Sequence, residues 1–75
     1  MKILVLGLGY VGTSNAVLLA QNNQVVCYDL NSKRIDQINK QISPIEDKEV
    51  SRFLTQKKLN IKGVNTFPDV DDFDY

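Results

Sequence analysis

Alternating apolar runs and polar breaks predict a series of short strands and helices. Lys2–Leu6 is aliphatic on both faces and leads into a glycine, which is typical of a central strand in a parallel sheet. Gln24–Tyr28 predicts a second strand of the same kind. Between them we expect a helix over residues 11–21, whose small and apolar stripe is Gly12, Ala16, Leu19 and Ala20. Small residues in this stripe let the helix lie close to the sheet.

The middle of the chain predicts two further helices. Asn31 or Ser32 caps the first of them, and its apolar positions recur at helical spacing, at Ile35, Ile38 and Ile42. Residues 43–46 (SPIE) have the serine, proline and glutamate of a capping box, so we expect them to open the next helix. The apolar face of that helix is Val50, Phe53 and Leu54. Residues 57–58 put two lysines in its last turn, where cations suit the helix dipole.

A third short strand is predicted over residues 64–67 (VNTF). The order of elements is then strand, helix, strand, helix, helix, strand. This alternation indicates an α/β fold with parallel strands. The sequence contains no repeat, no low-complexity tract and no linker, so we treat residues 1–75 as one structural unit.

Composition excludes several classes of protein. The 75 residues are 43% hydrophobic and 24% charged, which is ordinary for a globular chain of one small domain at most. Nine basic residues balance nine acidic ones, so there is no bias toward nucleic acid or an anionic membrane. No apolar run approaches the roughly 18–20 residues that span a bilayer, and we expect a soluble, cytoplasmic protein. One cysteine and no histidine argue against an internal disulfide and a zinc site.

The junction between the first strand and the first helix carries a GxGxxG motif, in residues 7–12 (GLGYVG). Gly7 permits a tight turn off the strand, Gly9 lets a pyrophosphate approach the backbone, and Gly12 allows close packing of helix on strand. The helix then directs its free N–H groups and the positive end of its dipole toward the phosphates. The motif therefore predicts a dinucleotide-binding loop.

Asp29 supplies the partner that this motif requires. It ends the second strand, about 20 residues after the motif begins, where a carboxylate accepts hydrogen bonds from the adenosine ribose hydroxyls. A negative charge there repels a 2′-phosphate, so NAD is favoured over NADP. The alternative interpretation is purely structural, with turn and packing glycines and an aspartate that caps a helix.

Further segments match a known family pattern. They are GLGYVG at 7–12, NAVLLAQN at 15–22, INK at 38–40, and SPI at 43–45 with Asp47. With Asp29, these segments make the chain resemble the UDP-glucose/GDP-mannose dehydrogenase family over essentially its whole length. The resemblance implies an oxidation of a sugar C6 alcohol to a carboxylate, with two NAD in succession and cysteine-bound intermediates. UDP-glucose is the substrate that it favours, with GDP-mannose and other UDP-sugars left open.

The resemblance implies an NAD site made of the glycine loop, the acid and two cations. The residues that it assigns are Gly7, Gly9, Tyr10, Val11, Gly12, Asp29, Lys33 and Arg34. The loop would hold the pyrophosphate, the acid would bind the adenosine ribose, and the cations would approach the adenosine end. The two cations also fit a solvated helix face.

The chain departs from this family in length. A Rossmann domain has six strands in the order 3-2-1-4-5-6, and this chain stops where the fourth strand would begin. We therefore expect the N-terminal half of a Rossmann fold, with strand order 3-2-1 and without a catalytic or sugar-nucleotide domain. No catalytic residue and no metal ligand is assigned, because Cys27 is expected to be a buried strand residue with a raised pKa. The acidic residues 69–74 are expected to form a connector or the start of a helix.

A half fold has consequences for association and ligand binding. Without a fourth strand, the edge of the first strand from Ile3 to Leu6 exposes backbone donors and acceptors, so we expect either dimerisation through that edge or marginal stability. Three functions remain: a segment that binds the ADP half of NAD and is catalytically inactive alone, a non-catalytic dimerising module without useful cofactor affinity, or an FAD-binding half domain. The last is disfavoured because flavin sites more commonly have glutamate at the position of Asp29.

Overall fold

Three parallel strands form one sheet in the computed structural model, which describes residues 1–56 and 59–75. The strands are β1 (Lys2–Leu6), β2 (Gln24–Tyr28) and β3 (Ile61–Val64), in the order β1-β2-β3. Ile3 lies opposite Val25, which in turn lies opposite Ile61. The α/β class and the predicted strand order, 3-2-1 when read from the other edge, are confirmed.

Three helices and one short 3-10 turn complete the fold in the part of the chain that the structure describes. They are α1 (Tyr10–Leu19), α2 (Ser32–Asn39), α3 (Lys48–Gln56) and the 3-10 turn Val70–Asp72. The core lies between the sheet and these helices, and its largest fully buried side chains include Leu8, Ile38 and Leu54. The buried face of α1 is Thr13, Ala16 and Val17. The predicted stripe was wrong at Leu19, which is 37% exposed.

The start of α3 differs from the predicted capping box. The helix begins at Lys48, and the Asp47 carboxylate caps it by accepting the backbone N–H groups of Glu49 and Val50 at 2.9 and 3.1 Å. Ser43 instead closes a small turn, because its hydroxyl contacts both the carbonyl and the N–H of Ile45. An aspartate immediately before the helix is therefore used in place of the more distant serine.

Two other boundaries also differ from the prediction. Helix α2 ends at Asn39 and is followed by Gln41 with φ of 60°, so Ile42 lies beyond the helix and is 52% exposed. The third strand is Ile61–Val64 rather than residues 64–67. Its Gly63 lies under α2, where an added Cβ would come within 2.7 Å of the Ile38 side chain. The two lysines predicted for the last turn of α3 lie outside the described residues.

The outer edge of β3 is closed by a side chain. Asn39 donates its amide N–H to the carbonyl oxygen of Gly63 at 3.0 Å and accepts the Gly63 backbone N–H at 2.8 Å. This pair of bonds occupies both groups that Gly63 turns away from β2. Asn39 thereby replaces the neighbouring strand that β3 lacks at this position.

The end of the chain covers part of the outer edge of β1. Leu4 donates its backbone N–H to the carbonyl oxygen of Tyr75 at 2.7 Å, and the backbone N–H groups of Asp74 and Tyr75 reach the carbonyl of Lys2 at 2.8 and 3.4 Å. The Asp74 carboxylate also accepts the Lys2 backbone N–H at 2.8 Å. Carbonyl and amide groups are thus exchanged in the pattern of a parallel neighbour.

No helix in the described residues has the length and apolar character needed to cross a membrane.

Candidate functional site

The glycine loop turns sharply away from the end of β1. Gly7 continues the ladder by donating its N–H to the carbonyl of Tyr28 at 2.8 Å, and it then adopts φ of 91°. A side chain is strained in that left-handed region, so glycine is required for the turn. Three residues, 7–9, therefore connect the end of β1 to the start of α1.

Gly12 and Gly9 are glycines for opposite reasons. A Cβ on Gly12 would overlap the carbonyl oxygen of Gly7, so the first turn of α1 lies directly against the loop. A Cβ on Gly9 would meet nothing within 4 Å. The side chain missing at Gly12 permits internal packing, whereas the one missing at Gly9 leaves open space outside the loop, where a ligand can approach the backbone.

The first turn of α1 presents unpaired backbone amides to that open space. Thr13 makes the first helical hydrogen bond, from its N–H to the carbonyl of Gly9 at 2.9 Å. Within residues 1–56 and 59–75 no side chain caps the helix at Gly9. The N–H groups of Tyr10, Val11 and Gly12 therefore remain for an anion, aided by the positive end of the helix dipole. The Tyr10 and Val11 side chains are mostly exposed beside them.

Asp29 joins the end of β2 to the glycine loop. Its Oδ2 accepts the Leu8 backbone N–H at 2.7 Å, and its Oδ1 accepts the Asn31 backbone N–H at 2.7 Å. Burial raises the pKa of the Asp29 carboxyl, but the Asn31 and Leu8 amides and the Arg34 guanidinium outweigh it, so the pKa lies below its ordinary value. Asp29 is thus an anion at neutral pH, and its Oδ1, which accepts the Asn31 N–H, has a second lone pair that a hydroxyl can use.

The two predicted cations occupy different surroundings. Arg34 places Nη1 3.6 Å from Oδ2 of Asp29, so the structure brings it to the acid. Lys33 is exposed and contributes its backbone N–H, at 3.0 Å from Oδ1 of Asn31, to the cap of α2. Asn31 is therefore the N-cap of α2 that the sequence left open between two residues. Of the two cations, only Arg34 touches another predicted site residue in the described part of the chain.

An open cleft of about 300 Å³ lies at the carboxyl ends of β1 and β2. The residues that line it are Leu6, Gly7, Tyr28, Asp29, Leu30 and Phe67. The rings of Tyr28 and Phe67 meet edge to face, with 5.2 Å between their centroids. Sequence reasoning missed Leu30 and Phe67. Leu30 could have been predicted as a cleft residue because it is apolar and directly follows Asp29. Phe67 could not, because residues 64–67 were predicted to be a strand.

Other candidate centres lack the features of a site. Burial raises the pKa of the Cys27 thiol to about 12, so it is a small buried hydrophobe, as expected. In the described ranges no three histidine, cysteine, aspartate or glutamate side chains are placed to hold a metal ion. A larger hollow of about 720 Å³ lies over α3, but it shares no residue with the loop and is lined by solvated side chains such as Glu46, Lys48 and Arg52.

Known proteins resemble this chain in sequence. Two curated relatives are UDP-glucose 6-dehydrogenases. The one from Streptococcus pneumoniae is 44% identical over 63 residues, which cover 84% of this chain and 16% of that protein. The one from Campylobacter jejuni is 45% identical over 58 residues, which cover 75% of this chain and 15% of that protein. This chain therefore spans about a sixth of the length of these relatives.

Solved structures and family models agree with the sequence relatives. The structure of a UDP-D-ManNAc dehydrogenase from Pyrococcus horikoshii superimposes with a TM-score of 0.77 at 35% identity, covering 96% of this chain and 17% of that one. The model of the NAD-binding domain of the UDP-glucose/GDP-mannose dehydrogenase family matches residues 1–72. By these matches the chain belongs to the UDP-glucose/GDP-mannose dehydrogenase family, within its NAD-binding domain.

Proposed function

We propose that this chain is the NAD-binding segment of a UDP-glucose 6-dehydrogenase and holds the ADP half of the cofactor. The observation that supports the proposal is the hydrogen bond from the Leu8 N–H to Asp29, because it joins the acid at the end of β2 to the glycine loop. The free amides of Tyr10, Val11 and Gly12 would receive the pyrophosphate, in the space left open at Gly9. The residues present therefore fit this half of NAD.

The charge of the site favours NAD over NADP. Asp29 is ionised and its oxygens already contact two backbone amides, so they can accept from ribose hydroxyls but repel a 2′-phosphate. Arg34 partly balances this charge, with its Nη1 3.6 Å from Oδ2 of Asp29. We assign Arg34 a supporting role at the adenosine end, with Lys33 as a weaker, solvated contribution to the same positive surface.

The parent reaction is proposed to be oxidation of UDP-glucose by two NAD to UDP-glucuronate. Residues 1–75 would supply the first half of the dinucleotide-binding domain and would be inactive alone, because the catalytic cysteine and the sugar-nucleotide domain implied by the resemblance have no counterpart in them. When bound, NAD would accept the hydride that the oxidation removes from the substrate. The proposal includes a cytoplasmic location, which suits a chain whose single cysteine, Cys27, is buried and unpaired.

Calorimetric titration tests the proposal against its rivals. We expect NAD and ADP to bind the chain with similar affinities, NADP to bind at least tenfold more weakly, and FAD, which contains the same ADP group, to bind no more tightly than ADP. A preference for FAD would favour the FAD-binding alternative. We rank that alternative lower because flavin sites commonly have glutamate at the position of Asp29. Absence of heat with every nucleotide, in a sample shown to be folded, would favour the non-catalytic module.

Self-association is a second proposal, and the edge of β1 supports it. The tail covers the edge groups of Lys2 and the N–H of Leu4, whereas Leu6, two residues further along the same edge, is 61% exposed. We propose that two copies pair through the part of the edge from Ile3 to Leu6 that residues 74–75 leave uncovered, helped by a net charge of zero. Light scattering should show a dimer whose dissociation constant rises on Leu6→Lys but not on Leu30→Lys. A wild-type monomer at millimolar concentration would contradict it.

A further inference from the structure

Helix α1 differs from α2 and α3 because it carries no charged residue. The sequence has none between Lys2 and Asp29, whereas the exposed positions of α2 and α3 include lysine, arginine, aspartate and glutamate. One side of α1 is buried against the sheet, yet Val11 and Leu18 on its outer side are 76% and 57% exposed. A helix that is apolar on both sides is usually buried on both sides. We propose that a second copy of the chain covers the outer side of α1, in a two-fold pair of α1 helices.

A small hollow lies beside Leu18, between α1 and α3. Ser14, Val17 and Leu18 line it from α1, and Val50 and Phe53 line it from α3. Val17 and Val50 are both buried, so the hollow is apolar at its base. Its volume is about 100 Å³, whereas ligand cavities are usually about 300–1,000 Å³. The hollow therefore suits a single aliphatic side chain rather than a small molecule.

The hollow and the side chain that would fill it lie on the same surface. Leu18 borders the hollow and has more than half of its own surface in solvent. An isologous contact repeats one patch on both sides, so a two-fold axis near the middle of α1 would bring Leu18 of each copy over the hollow of the other. Ser14, one turn before Leu18, is small enough for the two helices to approach closely. The surface is thus complementary to itself, which favours a second copy as its occupant.

The area on α1 is that of a small specific interface. Its exposed side chains present up to about 500 Å² per copy, or about 1,000 Å² in a pair, which is the lower limit for specific contacts. They are Tyr10, Val11, Asn15, Leu18 and Leu19. Because α1 is uncharged, no like charges meet when two copies of it face each other. We expect a weak dimer, formed through a surface other than the edge of β1.

A charge placed at Leu18 tests this inference. Sedimentation equilibrium and amide NMR are run from micromolar to millimolar concentration on the wild type, Leu18→Glu, Leu18→Met and Ile42→Glu. Leu18→Glu would set a carboxylate against Glu49, which borders the hollow, so we expect the dissociation constant of the dimer to rise at least about tenfold. Leu18→Met keeps an apolar side chain of similar size and should leave the constant within about twofold. Ile42→Glu is the matched control, because Ile42 is 52% exposed but does not line the hollow.

The same measurements separate this contact from the pairing proposed for β1. Concentration-dependent shifts at Val11 and Leu18 that persist in Leu6→Lys would support the inference. Shifts confined to β1 and abolished by Leu6→Lys would overturn it, because only the edge would then pair. A wild-type monomer at millimolar concentration would also overturn it and leave the outer side of α1 to a different polypeptide. A folded Leu18→Glu chain whose dimer is no weaker than that of Ile42→Glu would overturn it as well, and thermal unfolding checks that the variant is folded.

Discussion

The Asp29 carboxylate accepts the Leu8 backbone N–H at 2.7 Å, so the acid that ends β2 also fixes the loop that follows β1. Both residues are buried, with exposed fractions of 9% for Asp29 and 0% for Leu8. Since the same carboxylate is proposed to bind the ribose, recognition of the ligand and the shape of the glycine loop would both depend on one group. Loss of this group should therefore affect stability as well as affinity.

Replacement of Asp29 tests this double role. Asp29→Ala should lower the free energy of unfolding by about 2 kcal/mol, because the buried Leu8 amide and the part-buried Asn31 amide lose a charged acceptor. Asp29→Asn keeps one acceptor oxygen and should lose less. Urea unfolding measures both changes, and Asp36→Ala on the exposed face of α2 is the control. A loss of unfolding free energy for Asp29→Ala no larger than that for the control would contradict the role of Asp29 in fixing the glycine loop.

The depressed pKa of Asp29 also predicts a pH dependence. The carboxyl has a lower pKa in the folded chain than in the unfolded chain, where it is about 3.9. Its contribution to stability is therefore fully present above the unfolded value and is lost as the pH falls through the folded value. The difference in unfolding free energy between the wild type and Asp29→Asn should be constant from about pH 5 to 7 and shrink below about pH 4. A difference that grows on acidification would be the wrong sign.

Two glycine substitutions should separate packing from ligand binding. Gly12→Ala should destabilise the fold by about 3 kcal/mol, because the new methyl group overlaps the Gly7 carbonyl. Gly9→Ala should change stability by less than about 1 kcal/mol, since its backbone is extended and its Cβ meets open space, but should weaken ADP at least tenfold. Thermal unfolding and titration measure the two effects. Equal stability losses would show that the assignment of these glycines is wrong.

Thr13 predicts a substitution that stabilises the chain. Its side chain is fully buried in α1, and its hydroxyl has no hydrogen-bond partner in the described part of the chain. Thr13→Val replaces that hydroxyl with a methyl group of similar shape, so unfolding free energy should rise by about 1 kcal/mol. Thr55→Val is a contrasting variant on the exposed side of α3, where the hydroxyl contacts backbone carbonyls. Destabilisation by Thr13→Val would reveal a partner for the hydroxyl.

The two hydrogen bonds between the Asn39 side chain and the Gly63 backbone should stabilise the edge of the sheet at β3. Asn39→Ala removes a donor and an acceptor from Gly63 and should cost about 2 kcal/mol in unfolding free energy. Asn39→Asp retains the acceptor for the Gly63 N–H but loses the donor, so its effect should be intermediate. Urea unfolding of the two variants checks the order. An exposed β3 edge should also make Asn39→Ala aggregate faster than the wild type.

Local chemistry explains which parts of the fold the sequence predicts well. The strands Lys2–Leu6 and Gln24–Tyr28 were predicted at their observed bounds, because both are short apolar runs bounded by glycine or turn residues. The start of α3 was missed because Ser43 and Asp47 both precede it as good caps, and sequence alone does not rank them. The third strand was predicted a few residues too late in the chain. Gly63, which packs against α2, interrupts the apolar pattern of β3.

Contacts between distant segments could not be predicted in the same way. The motif indicated a loop and an acid, but the bond from Leu8 to Asp29 depends on the register of two parallel strands. The wall formed by Phe67 depends on how the chain leaves β3 and meets Tyr28. Pairing of Tyr75 with Leu4 likewise arises from the path of the last segment across the sheet edge.

Backbone amide NMR can show residue by residue whether the glycine loop and Asp29 bind NAD. The isotope-labelled chain is titrated with NAD and then with ADP, and the shifts are compared residue by residue. We expect shifts at Gly7, Gly9, Gly12 and Asp29 with NAD, most of which ADP should reproduce, because only the ADP half is proposed to be held. A well-dispersed spectrum in which NAD moves none of these amides would contradict it.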